Sequence, residues 1–484
     1  MSGKPRADSH VRCRGDPAGE DPVRELVFGI FQYVGMNGTI GASWRDPDDT
    51  STSFTSLDYW TTLARKVEDA GIDLLFLADS HGFPALDGHL IDASVREGRG
   101  IPHGDPLPVI SAIAATTSRL GLVLTMSTTV EIPANTARRL ATLDHLTKGR
   151  IGWNVVTGSS GSTAAALMGR SLVPHDERYD MADDYLDLCY TLWEESWEDD
   201  AVVLDRDGGV YADPTKVHMV RHDGPYFTAE GVLNMPPSPQ RTPLLVQAGT
   251  SGRGIRFAGR HAEVVFVAGG DPDRVAANIA GIRSAAEEAG RGADAVKVLV
   301  GALFLTDHTA EGAQRKHERM LELSTPEGAA AIFAGNTGVD LLAFDPSQPL
   351  PHDLTTELGL SNLQRYLGTP DAPGPTVGEI IEDFRTRGIN GSVFVGDPDQ
   401  VADQAAAFAE HTGADGFLIQ PNVNPTTYDD FIDLVLPAMR RRGIARDGYV
   451  GDTLRERFFG DGCSRLPLTH PGRASRMPAP EVTS

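Results

Sequence analysis

The sequence predicts an α/β protein, a (β/α)8 TIM barrel. Short continuous apolar runs recur along it, helical patterns separate most of them, and the runs number eight. In order they are LVFGIF (26–31), LLFLA (74–78), LGLVL (120–124), IGWNVV (151–156), LLV (244–246), VVFV (264–267), VKVLVGALFL (296–305) and GFLI (416–419). None alternates strictly between apolar and polar, which is the mark of parallel strands covered on both faces. The clearest helix follows Arg178, where Met181, Tyr185, Leu188 and Leu192 share one face. A second spans Asp397–His411, with DPDQ as an acidic first turn. Eight strands alternating with helices fit a closed barrel or a doubly wound open sheet, and the count favours the barrel.

Two connections exceed simple loops. Residues 198–242 carry Gly-Gly, Asp-Pro, Gly-Pro and Pro-Pro-Ser-Pro and read as an excursion of short hairpins; residues 325–395 read as a larger, partly helical insertion. In barrels such insertions commonly build the substrate cavity at the C-terminal ends of the strands, and a structural or subunit-contact role is the alternative. The expected organisation is a polar tail at 1–24, a barrel domain at 25–445 and a second polar tail at 446–484.

The 484 residues carry a formal charge of −24, which disfavours nucleic acid and anionic membrane surfaces as partners. No run approaches the ~20 apolar residues of a membrane span, and the first residues lack a secretory h-region. Cys13, Cys189 and Cys463 lie too far apart for a CxxC motif, and so sparse a set suits a reducing compartment; a cytoplasmic location is expected.

Polar residues just after barrel strands face the active-site mouth. Here they are Asp79, Thr125, Ser127, Asn154, Thr157 and the stretch 247–251, a set of hydroxyls, amides and one carboxylate. It suits a large hydrogen-bonding ligand better than a metal, though strand ends also turn polar simply by meeting water. In QAGTSGRGIRFAGRHAE (247–263) a strand gives way to a glycine-rich turn and a helix starting near Ser251. Backbone N–H groups there favour a phosphate, and Ser251 is placed to cap the helix or bind the anion. His175 and Tyr179 share one face of a starting helix and reach the same region. His218 and His222 sit in a strand-like context, where four residues span about 13 Å, too far for one metal ion. GSSGS (158–162) lacks the spacing of a nucleophile elbow.

The stretches LLFLADS, GLVLTMSTT, LDHLTKGRIGWNVVTG, HDERYDMADDYLD, HDGPYFTAEGVLNMPPSPQRTPLLVQAGTSGRG and FAGRHAEVVF occur in this order over most of 25–445. Together they resemble the bacterial luciferase-like superfamily, in particular its nitrilotriacetate, dibenzothiophene-sulfone and pristinamycin-synthase monooxygenases. The resemblance implies a barrel binding FMN at the strand C-terminal ends through Asp79, Thr125, Asn154, His175, Tyr179 and Ser251. Tyr179, Ser251 and His175 would serve the phosphate end; Asp79, Thr125 and Asn154 would serve the ribityl chain and ring.

It further implies that a separate NAD(P)H:FMN reductase supplies reduced FMN. Dioxygen then gives a flavin 4a-hydroperoxide that oxygenates a small organic substrate, with no protein nucleophile required. A homodimer or homotetramer is expected on the same ground. The alternatives are a deazaflavin-dependent hydride-transfer enzyme and a non-catalytic flavin-binding protein. The loop after the first strand (31–49) is expected to read the substrate. Met36, Asn37, Thr39 and Ile40 there suit an apolar or sulfur-containing molecule better than a polycarboxylate, while Trp44 and Arg45 match a common family feature. Val156-Thr157-Gly158 departs from the family's usual VTS.

Overall fold

Each apolar run forms a strand, and eight of them close on one another. The computed structural model describes residues 25–474 apart from 37, 159–160 and 389–390. The principal strands are β1 (Val27–Tyr33), β2 (Leu74–Ala78), β3 (Gly121–Ser127), β4 (Ile151–Val156), β5 (Leu244–Ala248), β6 (Val264–Val267), β7 (Lys297–Thr306), β8 (Ser392–Gly396) and β9 (Gly416–Ile419). All pair in parallel in the order β6-β5-β4-β3-β2-β1-β9-β7-β8, and a β6–β7 pairing closes the eight-stranded barrel of β1–β7 and β9.

The major helices are α1 (Leu57–Asp69), α2 (Pro106–Ala114), α3 (Pro133–Thr147), α4 (His175–Tyr190), α5 (Gly252–His261), α6 (Pro272–Glu288), α7 (Ala310–Glu322), α8 (Pro326–Thr337), α9 (Val377–Arg387), α10 (Pro398–Thr412) and α11 (Leu454–Phe459). On α4, Tyr185 and Leu188 are buried as the periodicity requires, and Cys189 is buried beside them. α10 begins with a capping box in which Asp397 and Gln400 satisfy each other's backbone N–H groups. No described helix is long and apolar enough to cross a membrane.

Two features differ from the sequence reading, and one that it expected is present. β8 lies inside the stretch read as insertion, and pairs only with the second half of β7, from Ala302 to Thr306. The excursion at 198–242 does hold two antiparallel hairpins, Val202–Asp205 with Val210–Ala212 and Val220–Asp223 with Thr228–Gly231. His222 there bonds Asp184 at 2.7 Å, and His218 bonds Glu198 at 3.0 Å.

The second difference is a correction. The described part of the expected C-terminal tail, 446–474, is packed rather than solvated. Leu454 and Phe458 of α11 join Val27, Leu74, Val123, Leu244 and Val264 in the barrel interior and plug its N-terminal end. Arg455 follows them inside because the Glu263 carboxylate grips it from both oxygens, at 2.7 and 2.9 Å. The fit is tight: a Cβ on Gly121 would lie 2.5 Å from a Leu454 methyl carbon. The expected N-terminal tail, with Cys13, lies outside the described residues.

The candidate active site

At the opposite, C-terminal end, Phe31, Phe76 and Phe266 meet with ring centroids 5.5–6.0 Å apart and roof the packed interior. Above them all six residues expected at the site stand on or just beyond β2, β3, β4 and β5, adjacent strands of the barrel, and the helices that follow.

Alternation along the strands decides which side chains face inward. Gly121 and Gly152 face the interior, since a Cβ on either would meet Leu454. Thr125 and Asn154, four and two residues on, therefore face inward at the mouth. They are paired in register, both are 3% exposed, and the Asn154 amide donates to Thr125 Oγ1 at 2.9 Å. Asn154 Oδ1 is buried with no partner. Such an orphaned acceptor is costly unless a ligand supplies the donor. Asp79, directly after β2, accepts from the Ser80 N–H at 2.8 Å and shares a small recess with Thr125, Ser127 and Gly158. Burial pushes its carboxyl above the usual range, and His81, 3.8 Å away, pulls it back.

A second cluster adjoins the first. Ser251 caps α5 by accepting from the Gly254 N–H at 3.1 Å. The Tyr179 hydroxyl lies within hydrogen-bonding reach of the Ser251 and Thr157 side chains, and burial raises its pKa against their pull. Its ring sits under the Arg253 guanidinium at 5.5 Å and against Phe257 at 5.4 Å. The backbone keeps this corner open: a Cβ on Gly249 would come within 2.9 Å of the Gln247 amide nitrogen. Gln247 Oε1 is a further buried acceptor without a partner. His175 heads α4 edge-on to Tyr179 at 5.3 Å; its backbone N–H donates to Glu357 of the large insertion at 3.0 Å.

Beside the Asp79 recess, with which it shares Ser80, opens a cavity of about 290 Å³. Met36, Thr39 and Trp44 of the loop after β1 line it, as expected of that loop; Asn37 lies outside the described residues. Ile40 instead packs into a core cluster with Leu303 and Leu305, and Arg45 is exposed. The large insertion supplies a wall through Ala331, Ile332 and Asn336 of α8.

The sequence reading missed three other wall residues on the segment between β2 and α2, which holds a small hairpin and a short helix (Asp92–Glu97): Glu97, Arg99 and His103. His103 stacks on Tyr33 with ring centroids 4.6 Å apart and planes 7° apart. Burial lowers His103 to about 4 and raises Tyr33 to about 12, the Asp79 carboxylate adding to the latter. Arg99 donates to the Gly41 and Thr39 carbonyls, and burial lowers it to about 10 against the opposing field of Glu97.

Comparison with known proteins gives a consistent result. A family model described as luciferase-like monooxygenase matches residues 36–416. The chain is 37% identical to the dimethyl-sulfide monooxygenase of Hyphomicrobium sulfonivorans, over 94% of each chain. It is 41% identical to the long-chain alkane monooxygenase of Geobacillus thermodenitrificans (strain NG80-2), over 92% of this chain and 97% of that one. Among solved structures, a riboflavin lyase with modified FMN and the substrate riboflavin superposes with a TM-score of 0.89 at 44% identity, covering 94% of this chain and 100% of that one.

Proposed function

The chain belongs to the luciferase-like monooxygenase family, and on that premise we propose that it is the oxygenase component of a two-component flavin system. It takes reduced FMN from a separate NAD(P)H:FMN reductase and uses dioxygen to place one oxygen atom on a small organic substrate. The observation that carries this reading is the orphaned Asn154 acceptor beside Thr125, adjoining the glycine-kept corner at Tyr179 and Ser251. One end offers donors to a phosphate and the other offers partners to hydroxyls and a polar ring edge, which fits FMN.

In this reading Ser251, the first N–H groups of α5 and the Tyr179 hydroxyl bind the phosphate, with His175 beside them. Asn154 Oδ1 accepts from the ribityl chain, and Thr125, oriented by the Asn154 amide, binds it from the next strand. Asp79 bonds the ribityl chain or the ring edge. Bound reduced FMN supplies the electrons with which dioxygen gives one atom to substrate and the other to water. The protein's part is to bind, orient and exclude water; the roof of Phe31, Phe76 and Phe266 is suited to the last.

The substrate occupies the 290 Å³ cavity, whose aromatic and aliphatic walls favour an apolar body. The relatives are named for a sulfide, an alkane and a flavin, so the family's substrates differ widely in size. The phosphate assignment is tested by FMN titration of Ser251→Ala and Tyr179→Phe. Each weakens binding; an unchanged dissociation constant in both overturns it.

A further inference from the structure

The substrate cavity carries one group that an alkane or dialkyl sulfide does not need. Arg99 is 7% exposed, lines the cavity, and among the described residues pairs with no carboxylate. A guanidinium is a flat fork of five donors. Here the backbone carbonyls of Gly41 and Thr39 engage its two terminal nitrogens, and the N–H groups they leave over have no acceptor among the described residues. Holding an unpaired cation in a low-dielectric wall is costly. Around it the walls are flat: the stacked rings of Tyr33 and His103 are nearly parallel, and Phe31 and Phe266 line the same cavity. Glu97 lines it too, with its carboxylate turned to Thr325, which donates to Oε1 at 2.6 Å, and with Oε2 buried without a partner; its charge acts on Arg99.

We propose that Arg99 is a specificity-determining residue that selects a planar, neutral substrate by donating to carbonyl or sulfonyl oxygens on its edge. The flat stack accepts a ring, the fork accepts oxygen lone pairs, and the Glu97 carboxylate in the same wall opposes a substrate that is itself an anion. This rests on the reading of the cavity as the substrate site of an FMN enzyme, and it separates this chain from relatives named for bare alkanes or dimethyl sulfide.

The test uses matched pairs that differ only in the oxygen edge, dibenzothiophene against its sulfone and fluorene against fluorenone. Binding to the full chain saturated with oxidised FMN is measured by calorimetry. The oxygen-bearing member of at least one pair binds about ten- to hundredfold tighter, the range of a hydrogen bond to a charged group. Arg99→Met removes that preference; Arg99→Lys, which keeps the charge and loses the fork, retains part of it, and FMN affinity is unchanged in both. Equal binding within every pair, or no binding by any member, overturns the proposal, as does a preference that survives Arg99→Met. An Arg99 that only braces the loop carrying Thr39 and Gly41 gives the first of these results. Because the readout is binding rather than turnover, a preferred ligand that is bound but never oxygenated refutes the monooxygenase reading and leaves this one standing.

Discussion

Replacing Gly254 by alanine probes the corner at Tyr179 and Ser251 with a single methyl group. The added Cβ would stand 2.8 Å from the Tyr179 hydroxyl and 3.0 Å from Ser251 Oγ, where ordinary contact begins at 3.4 Å. The hydroxyl must therefore retreat by about 0.6 Å. The ring has little room to follow, since Tyr179 is 6% exposed and held between Phe257 and Arg253. Its bond to Ser251 stretches or breaks, and its approach to the phosphate suffers with it. Losing one or two such contacts costs about 1–2 kcal/mol, roughly five- to thirtyfold in FMN affinity. Overpacking this buried corner costs the apoprotein about 1–3 kcal/mol, which the advantage of alanine over glycine in a helix, up to about 1 kcal/mol, offsets only in part. FMN titration should show weaker binding, and thermal unfolding of the apoprotein a Tm unchanged or lowered. An FMN dissociation constant within twofold of wild type refutes the placement of the phosphate.

Leu454→Ala removes a fully buried side chain from the barrel plug and should cost about 2–5 kcal/mol in urea denaturation; a loss below about 1 kcal/mol means that α11 is not part of the core. Asn154→Ala deletes both the donor to Thr125 and the orphaned acceptor, and should weaken FMN about tenfold with little change in Tm; unchanged affinity removes Asn154 from the site. His103 titrates at about 4 when folded against an ordinary 6.5. The unfolded chain thus binds the extra proton first, and stability present above 6.5 is lost as pH falls from 6.5 towards 4. Tm measured across that window should fall less steeply in His103→Gln; identical slopes would show that His103 is not buried in its neutral form.

The barrel was legible because seven of its eight strands follow one rule, a continuous apolar run covered on both faces, and the eighth, β7, only extends it. β8 escaped because it falls in the stretch read as insertion and pairs on one side only, with the overhang of β7 outside the closed eight; its VFV run is no shorter than the LLV of β5. The buried α11 was misread for a different reason. LRERFF is half charged, and its charges enter the core only because Glu263 and backbone carbonyls wait there, 192 residues away for Arg455 and Glu263. The corner at Tyr179 and Ser251 was legible in its local chemistry, a serine cap and glycines at a strand-to-helix turn. Glu97, Arg99 and His103 were not: Gly98 and Gly100 mark turns around Arg99, but nothing local tells that the segment between β2 and α2 folds over the cavity.

The most direct test of the account supplies the chain with FMN, NADH, a flavin reductase and 18O2, on the panel compound it binds most tightly. The account predicts a product that carries one heavy oxygen atom and forms only when the reductase, FMN and this chain are all present. A product without the label, or none while the reduced flavin is simply reoxidised, would contradict it.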